Sequence, residues 1–376
     1  MSSTFTQRKT TPFRYDIVGS FLRPETLKAA RADFAQNKIS AAQLVEVEDI
    51  CIAELVEKQL ELDLKSVTDG EFRRSYWHLD FMWGFDGIEH NVMEHGYFFH
   101  GEETRADSAR VCDKIKFTNH PFLEHFKFLK KVVGDRALVR QTIPSPSQFF
   151  AELVRGDNEQ HLGHVYPNKE ELYTDLTKAY HDFILALYNE GCRDLQIDDC
   201  TWGMLCDKSF WKHMASAEYD VQQLQQLYLE LNNRAIANLP HDLVINTHVC
   251  RGNYHSTWAT SGGYEPVAKN LFGKEKVQGY FLEFDDDRSG DFEPLKEVSD
   301  EKIVVLGLVT SKQPKLEDKS AIIARIHEAA QYIPLDRLCL SPQCGFASTE
   351  EGNILTEEEQ WKKITLVKEI AEEVWG

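Results

Sequence analysis

His248 and Cys250 stand two residues apart in the run LVINTHVC. On an extended strand, residues i and i+2 point to the same side, so this spacing brings an imidazole and a thiolate towards one point. Glu283, in GYFLEF, and Cys344, in SPQCG, sit at the ends of two other apolar runs and could complete a tetrahedron. Two cysteines, a histidine and a glutamate suit Zn²⁺, which accepts thiolate, imidazole and carboxylate together. One displaceable ligand would make the site catalytic. Two cysteinates also limit the metal's positive charge, so a bound substrate thiolate keeps its nucleophilicity. An H-x-C pair occurs by chance as well, with the cysteine serving as a small buried apolar residue. Cys344 argues against chance here, because a strand-end loop between Pro342 and Gly345 is a poor place for an inert core thiol. Cys339, among apolar neighbours, reads as core. Cys51, Cys112 and Cys192 have no defensible partner spacing, while Cys200 and Cys206 fall near the same mouth and compete for ligand roles.

Acidic residues form a second group: Asp69, Glu71, Asp198 and Asp199. A single acid is by default a solvated surface group, but Asp198 follows Leu195 and Ile197 at the close of an apolar strand. Acids so placed would bind a cationic group such as the ammonium of an amino acid. Ser20 after Gly19 could donate to a carboxylate with help from neighbouring backbone N–H groups, or the pair could form a tight turn.

Eight β-rich runs position these residues: 15–20, 66–70, 137–143, 194–199, 243–249, 279–284, 302–310 and 337–342. Helical periodicity fills 41–62, 169–190, 221–237, 318–332 and 356–375, the last with Thr356 as N-cap before three glutamates. The alternation predicts an α/β fold, a (β/α)8 barrel, with a doubly wound sheet as the rival. Chemistry in such a barrel sits at the C-terminal strand ends, where the residues above fall. The whole chain, 1–376, reads as one catalytic domain. Residues 71–135 interrupt it after the second strand with no clear strand and many aromatics and histidines. This insertion is either a lid over the mouth or a dimerisation arm, the latter making a homodimer.

With 42 basic and 61 acidic residues, the net charge of −19 repels a phosphate backbone or an anionic membrane, which argues against nucleic acid as a partner. No stretch of about 18 apolar residues exists to span a membrane. The first residues, MSSTFTQRKTTPFRYD, lack the apolar core of a secretion signal, so the expected location is cytoplasmic and the eight cysteines read as thiols or ligands.

Taken in order, Val18-Gly19-Ser20, Asp69-Gly70-Glu71-Phe72, Leu195-Gln196-Ile197-Asp198, His248-Val249-Cys250 and Cys344-Gly345 resemble the catalytic barrel of cobalamin-independent methionine synthases across nearly the whole chain. The resemblance implies zinc held by His248, Cys250, Glu283 and Cys344. It implies homocysteine held by Val18, Gly19 and Ser20, with Glu71 and Asp198 on its ammonium. The reaction implied is methyl transfer to a zinc-bound homocysteine thiolate, giving methionine. The methyl-donor half departs from the family: its proton-donor histidine in Asp-Ile-His-Ser is matched to Leu308-Val309-Thr310-Ser311, and its folate-stacking tryptophan has no counterpart in 142–150. No catalytic acid is therefore assigned, and a methylated corrinoid or a sulfonium joins folate as a donor class. Two other readings stay open: a zinc thiol transferase or lyase acting on another electrophile such as an epoxide, and a zinc-holding barrel without activity.

Overall fold

The computed structural model describes residues 8–214 and 220–376. Seven strands form one parallel sheet: β1 (Ser66–Val67), β2 (Leu138–Pro144), β3 (Asp194–Asp199), β4 (Val244–Val249), β5 (Gly279–Glu283), β6 (Ile303–Val309) and β7 (Leu338–Pro342). They lie side by side in chain order and every pairing is parallel. Each strand from β2 to β7 is buried nearly throughout, as expected where helices cover the outer face. The expected helices are α1 (Ala41–Glu61), α2 (Lys169–Asn189), α3 (Val221–Ala235), α4 (Lys319–Ala329) and α5 (Glu357–Trp375). Thr356 caps α5 as anticipated, accepting from Glu359 N while the Glu359 carboxylate reaches back.

The first of the eight expected strands differs. Residues 15–20 run between β7 and β1 but make only isolated parallel bridges, Tyr15 to Leu340 and Ser20 to Gly70. Their carbonyls go elsewhere: Ile17 O accepts from Arg140, Val18 O from Gln196 and Gly19 O from Thr68. Side chains from neighbouring strands thus replace the ladder. The hydrogen-bonded sheet therefore has seven strands, curled so that its two edges flank one extended segment. At the N-terminal end of the strands, Arg140 is fully buried between Asp16 at 2.8 Å and Asp194 at 3.0 Å. A cluster of Val18, Phe281, Ile303, Val305 and Cys339 lies beyond it.

The insertion also departs from expectation, because it contains strands. Asp86–Val92 pairs antiparallel with Asp107–Lys116, and a short hairpin of Phe98–Phe99 and Glu102–Glu103 forms its tip. Exposed or half-exposed polar residues such as Glu89, His90, Arg110 and Asp113 hide the apolar alternation in the sequence.

Candidate metal centre and substrate cavity

The ends of three strands bring the four expected ligands together. His248 is in β4 with Cys250 just beyond it, Glu283 closes β5, and Cys344 follows β7. All four are buried, and one ligand atom of each lies within 4.8 Å of all the others. The Cys250 and Cys344 sulfurs are 3.7 Å apart. His248 Nδ1 faces the Phe281 carbonyl at 3.3 Å, and Glu283 Oε1 accepts from Arg251 N at 2.8 Å. The other nitrogen and oxygen, His248 Nε2 and Glu283 Oε2, are buried with no hydrogen-bond partner. Two orphaned buried acceptors beside two sulfurs are what a cation site presents, since each orphan otherwise carries an uncompensated desolvation cost.

Burial pushes the Glu283 carboxyl up to about 7, with Lys312 opposing and Cys250 and Asp285 adding. Cys250 is the most readily ionised thiol of the group. Hydrogen bonds from Cys200, then Cys344, pull it well below the ordinary thiol range against its burial. Cys200 touches the cluster through that bond, but does not join the four. Cys206 is buried in the core, and Cys339 is fully buried inside the sheet. All eight cysteines are free thiols.

A cavity of about 510 Å³ opens beside the cluster and is lined by Val18, Ser20, Glu71, Asp198, His248, Cys250 and Cys344 among others. Glu71 follows β1 at φ +61°, and its Oε1 accepts from Thr142 Oγ1 at 2.7 Å while Arg74 stands 3.2 Å away. Its Oε2 is buried without a partner. Asp198 accepts from Gln196 Nε2 at 2.9 Å. Burial pushes its carboxyl up to about 8, His248 opposing and Glu71 adding. Asp199 points the other way, as strand alternation requires, and is consumed by Ser147, Asn232 and Thr201. Asp69 accepts from Glu71 N and supports that turn from outside the cavity. Gly19 sits at φ +143°, where a Cβ would come within 2.8 Å of Thr142, so the chain can turn here only with glycine. Ser20 Oγ accepts from Ala347 N at 3.3 Å, which leaves its hydrogen free to donate.

The insertion lines the same cavity with Tyr76, Trp77, His78, Tyr97, Phe98 and Phe99. His78 Nε2 meets Tyr97 OH at 2.8 Å, and Tyr97 in turn donates to the buried Glu152. Burial, with Arg155 nearby, brings His78 down to about 3, so it is neutral at physiological pH.

Lys312 escaped the sequence reading. It follows β6 by three residues, is 4% exposed, and its Nζ has no hydrogen-bond partner. Burial pulls its pKa down, but Glu283 foremost, then Asp285 and Cys344, outweigh that and hold it above the ordinary value. The sequence gives no signal beyond its place three residues after a strand, because in the polar run Thr310-Ser311-Lys312-Gln313 a lysine reads as solvated.

A curled parallel sheet carrying a buried Cys-Cys-His-Glu cluster at its strand ends defines an α/β protein with the means to hold a metal ion over a cavity. Residues 167–372 match the family described as the cobalamin-independent synthase catalytic domain. The uncharacterised protein YxjH of Bacillus subtilis is 46% identical over 371 residues, 98% of this chain and 96% of its own length. Methionine synthase of Pyrococcus horikoshii is 23% identical over 270 residues, 70% of this chain and 68% of that one. A crystal structure of the putative vitamin-B12 independent methionine synthase from Listeria monocytogenes superposes with a TM-score of 0.77 at 38% identity, covering 98% of this chain and 100% of that one. The chain belongs to the cobalamin-independent methionine synthase family and is by that membership a methyltransferase. Among the described residues no helix is long and apolar enough to cross a membrane.

Proposed function

We propose that this chain is a zinc-dependent methyltransferase that methylates the thiol of homocysteine to give methionine. The buried quartet of His248, Cys250, Glu283 and Cys344 beside the acid-lined cavity carries this reading. Those four residues would hold the zinc, which supplies the Lewis acidity that keeps a substrate thiol ionised at neutral pH. Glu71, through its unpartnered Oε2, and Asp198 receive the substrate ammonium. The Ser20 hydroxyl, with the Val18–Gly19 backbone, receives the carboxylate. Methyl transfer forms an S–C bond at the thiolate while the bond to the donor breaks, its electron pair leaving with the donor.

The wider architecture is read in the same way. The bridges from 15–20 to β7 and β1 support closure into a (β/α)8 barrel. The aromatic residues of 71–135 at the cavity support a lid within a single domain rather than a dimerisation arm.

Two imidazoles line the cavity among the described residues, His248 and His78. The first is spent on the metal and the second is neutral and committed to Tyr97. Neither can protonate a departing nitrogen, so the reading favours a donor whose leaving group needs no proton, a sulfonium or a methyl–cobalt species. The test is methionine formation by zinc-loaded protein from homocysteine with methyltetrahydrofolate, methylcobalamin or a methylsulfonium compound. We expect turnover with one of the last two and little with folate. A folate rate of roughly 1 s⁻¹ or more would overturn the donor assignment. No methionine from any of the three would overturn the function.

A further inference from the structure

We propose that His78 and Gln148 form the subsite for the non-transferred part of the methyl donor, and that this subsite takes an uncharged N–H group, a carboxamide or an aromatic amine. The inference rests on the methyltransferase reading above and names residues outside the metal and homocysteine sites. Both residues line the cavity. His78 is 3% exposed and Gln148 4%, and His78 Nδ1 and Gln148 Oε1 are buried without a hydrogen-bond partner. A bare buried acceptor costs stability that a ligand donating to it returns.

One chain of hydrogen bonds links the two residues. Gln148 and Glu152 lie four residues apart on the helix Pro146–Leu153, which follows β2, and so share a face. Glu152 Oε1 accepts from Ser108 Oγ and pairs with Arg155 at 3.0 Å, while Oε2 accepts from Tyr97 OH. A carboxylate only accepts, so the single Tyr97 hydroxyl hydrogen is spent on Glu152. The Tyr97 oxygen must then accept from His78 Nε2, 2.8 Å away. This fixes His78 as the Nε2–H tautomer, and because the ring is neutral its Nδ1 carries a lone pair. The Gln148 amide can turn either end to a ligand. His78 cannot, and it therefore sets the polarity of the subsite.

Homocysteine leaves no group for these atoms, since its ammonium, carboxylate and thiol are matched to Glu71 and Asp198, to Ser20, and to the metal cluster. The N–H therefore belongs to the other substrate. A carboxylate or phosphate at this point would set lone pair against lone pair. Trp77, its ring 4.7 Å from that of His78, adds an apolar wall together with Phe98, Phe99 and Phe210. An amine or amide on a broad apolar or planar body meets both features. Two of the donor classes above carry one: an adenosyl sulfonium through its adenine amino group, and a methylated corrinoid through its carboxamide arms.

The experiment has two parts. Long-range ¹H–¹⁵N NMR of the wild-type protein reads the His78 tautomer, assigned by its loss in His78→Leu or, if that variant does not fold, in His78→Gln. We expect the proton on Nε2, and Tyr97→Phe should shift it towards a mixture of tautomers. Calorimetry of zinc-loaded protein then compares two matched pairs of probes: S-adenosylmethionine with its inosine counterpart, and methylcobalamin with methylcobyrinic acid, whose arms are carboxylates. Wild type should prefer the NH₂-bearing member of one pair by about tenfold, the scale of a hydrogen bond whose loss strands a buried partner. The pair that shows the preference identifies the source of the group. His78→Leu and Gln148→Leu should each reduce the preference to about twofold or less, and His78→Gln, which keeps an acceptor, should restore part of it. A proton on Nδ1, no preference in either pair, or a preference that survives both leucine variants would overturn the subsite. Wild-type protein that shows the preference but binds no homocysteine would overturn the homocysteine reading instead.

Discussion

Asp198 and Asp199 are adjacent carboxylates with opposite fates, and replacing each in turn tests the ammonium subsite. Asp198 lines the cavity and accepts one internal bond, from Gln196. Asp199 faces the helices and accepts from Ser147, Asn232 and Thr201. Asp198→Asn keeps shape but cannot ionise, whereas the Asp198 carboxyl, which burial holds up to about 8 in the free protein, gives up its proton when an ammonium binds beside it. A bond to a charged group contributes about 1.5–3 kcal/mol, which at roughly 1.4 kcal/mol per decade is about a 10- to 150-fold loss of homocysteine affinity. Glu71 remains, so binding should weaken and not vanish. Asp199→Asn should leave homocysteine affinity within about twofold. Its cost should appear in stability, because an amide nitrogen would face groups that now donate to a carboxylate, an unsatisfied-polar penalty of about 1–3 kcal/mol. The assay is calorimetric titration of zinc-loaded protein with homocysteine, with metal content and melting temperature measured on the same samples. Unaltered affinity in Asp198→Asn would refute the ammonium assignment. An equal loss in Asp199→Asn would refute the argument from strand alternation.

Cys344→Ser should lose or greatly weaken bound zinc by metal analysis, whereas Cys339→Ser should retain it, because that thiol lies in the apolar interior; full zinc retention in Cys344→Ser would overturn its role as a ligand. Glu275 is buried away from the cavity, where burial, with Asp199 adding, pushes its carboxyl from 4.5 up to about 8. A folded-state value raised above the unfolded one contributes stability that is full below about pH 4.5 and is lost as pH rises through about 8, on the order of a few kcal/mol. Glu275→Gln should therefore melt higher than wild type at pH 9, with the difference shrinking towards pH 5; parallel pH–melting curves for the two proteins would show that Glu275 does not titrate in this way.

The cluster of His248, Cys250, Glu283 and Cys344 was legible because strand geometry fixes its first pair and strand ends carry the other two. His248 and Cys250 share a face whatever the rest of the sheet does, and Glu283 and Cys344 end runs too apolar to be anything but buried strands. The acids were legible only in part: Asp198 stood out for following Leu195 and Ile197, but Asp69 and Asp199 were grouped with it, and the fold turns both away from the cavity. What stayed hidden depends on contacts between segments. The pattern of 15–20 is that of a strand, yet its carbonyls are taken by Arg140, Gln196 and Thr68, side chains more than 40 residues away in sequence. The hairpin of the insertion was hidden because one face is solvated, so its period-two signal is diluted by charged residues. Lys312 was hidden most completely. Lysine is among the residues least often buried, and nothing in the neighbouring sequence marks it as an exception. Only the fold buries it, where Glu283, Asp285 and Cys344 offset the cost of its charge. A cluster of this kind is thus read from sequence through residues that alternate along a strand, while a buried charge supplied by a loop becomes visible only once the fold places it.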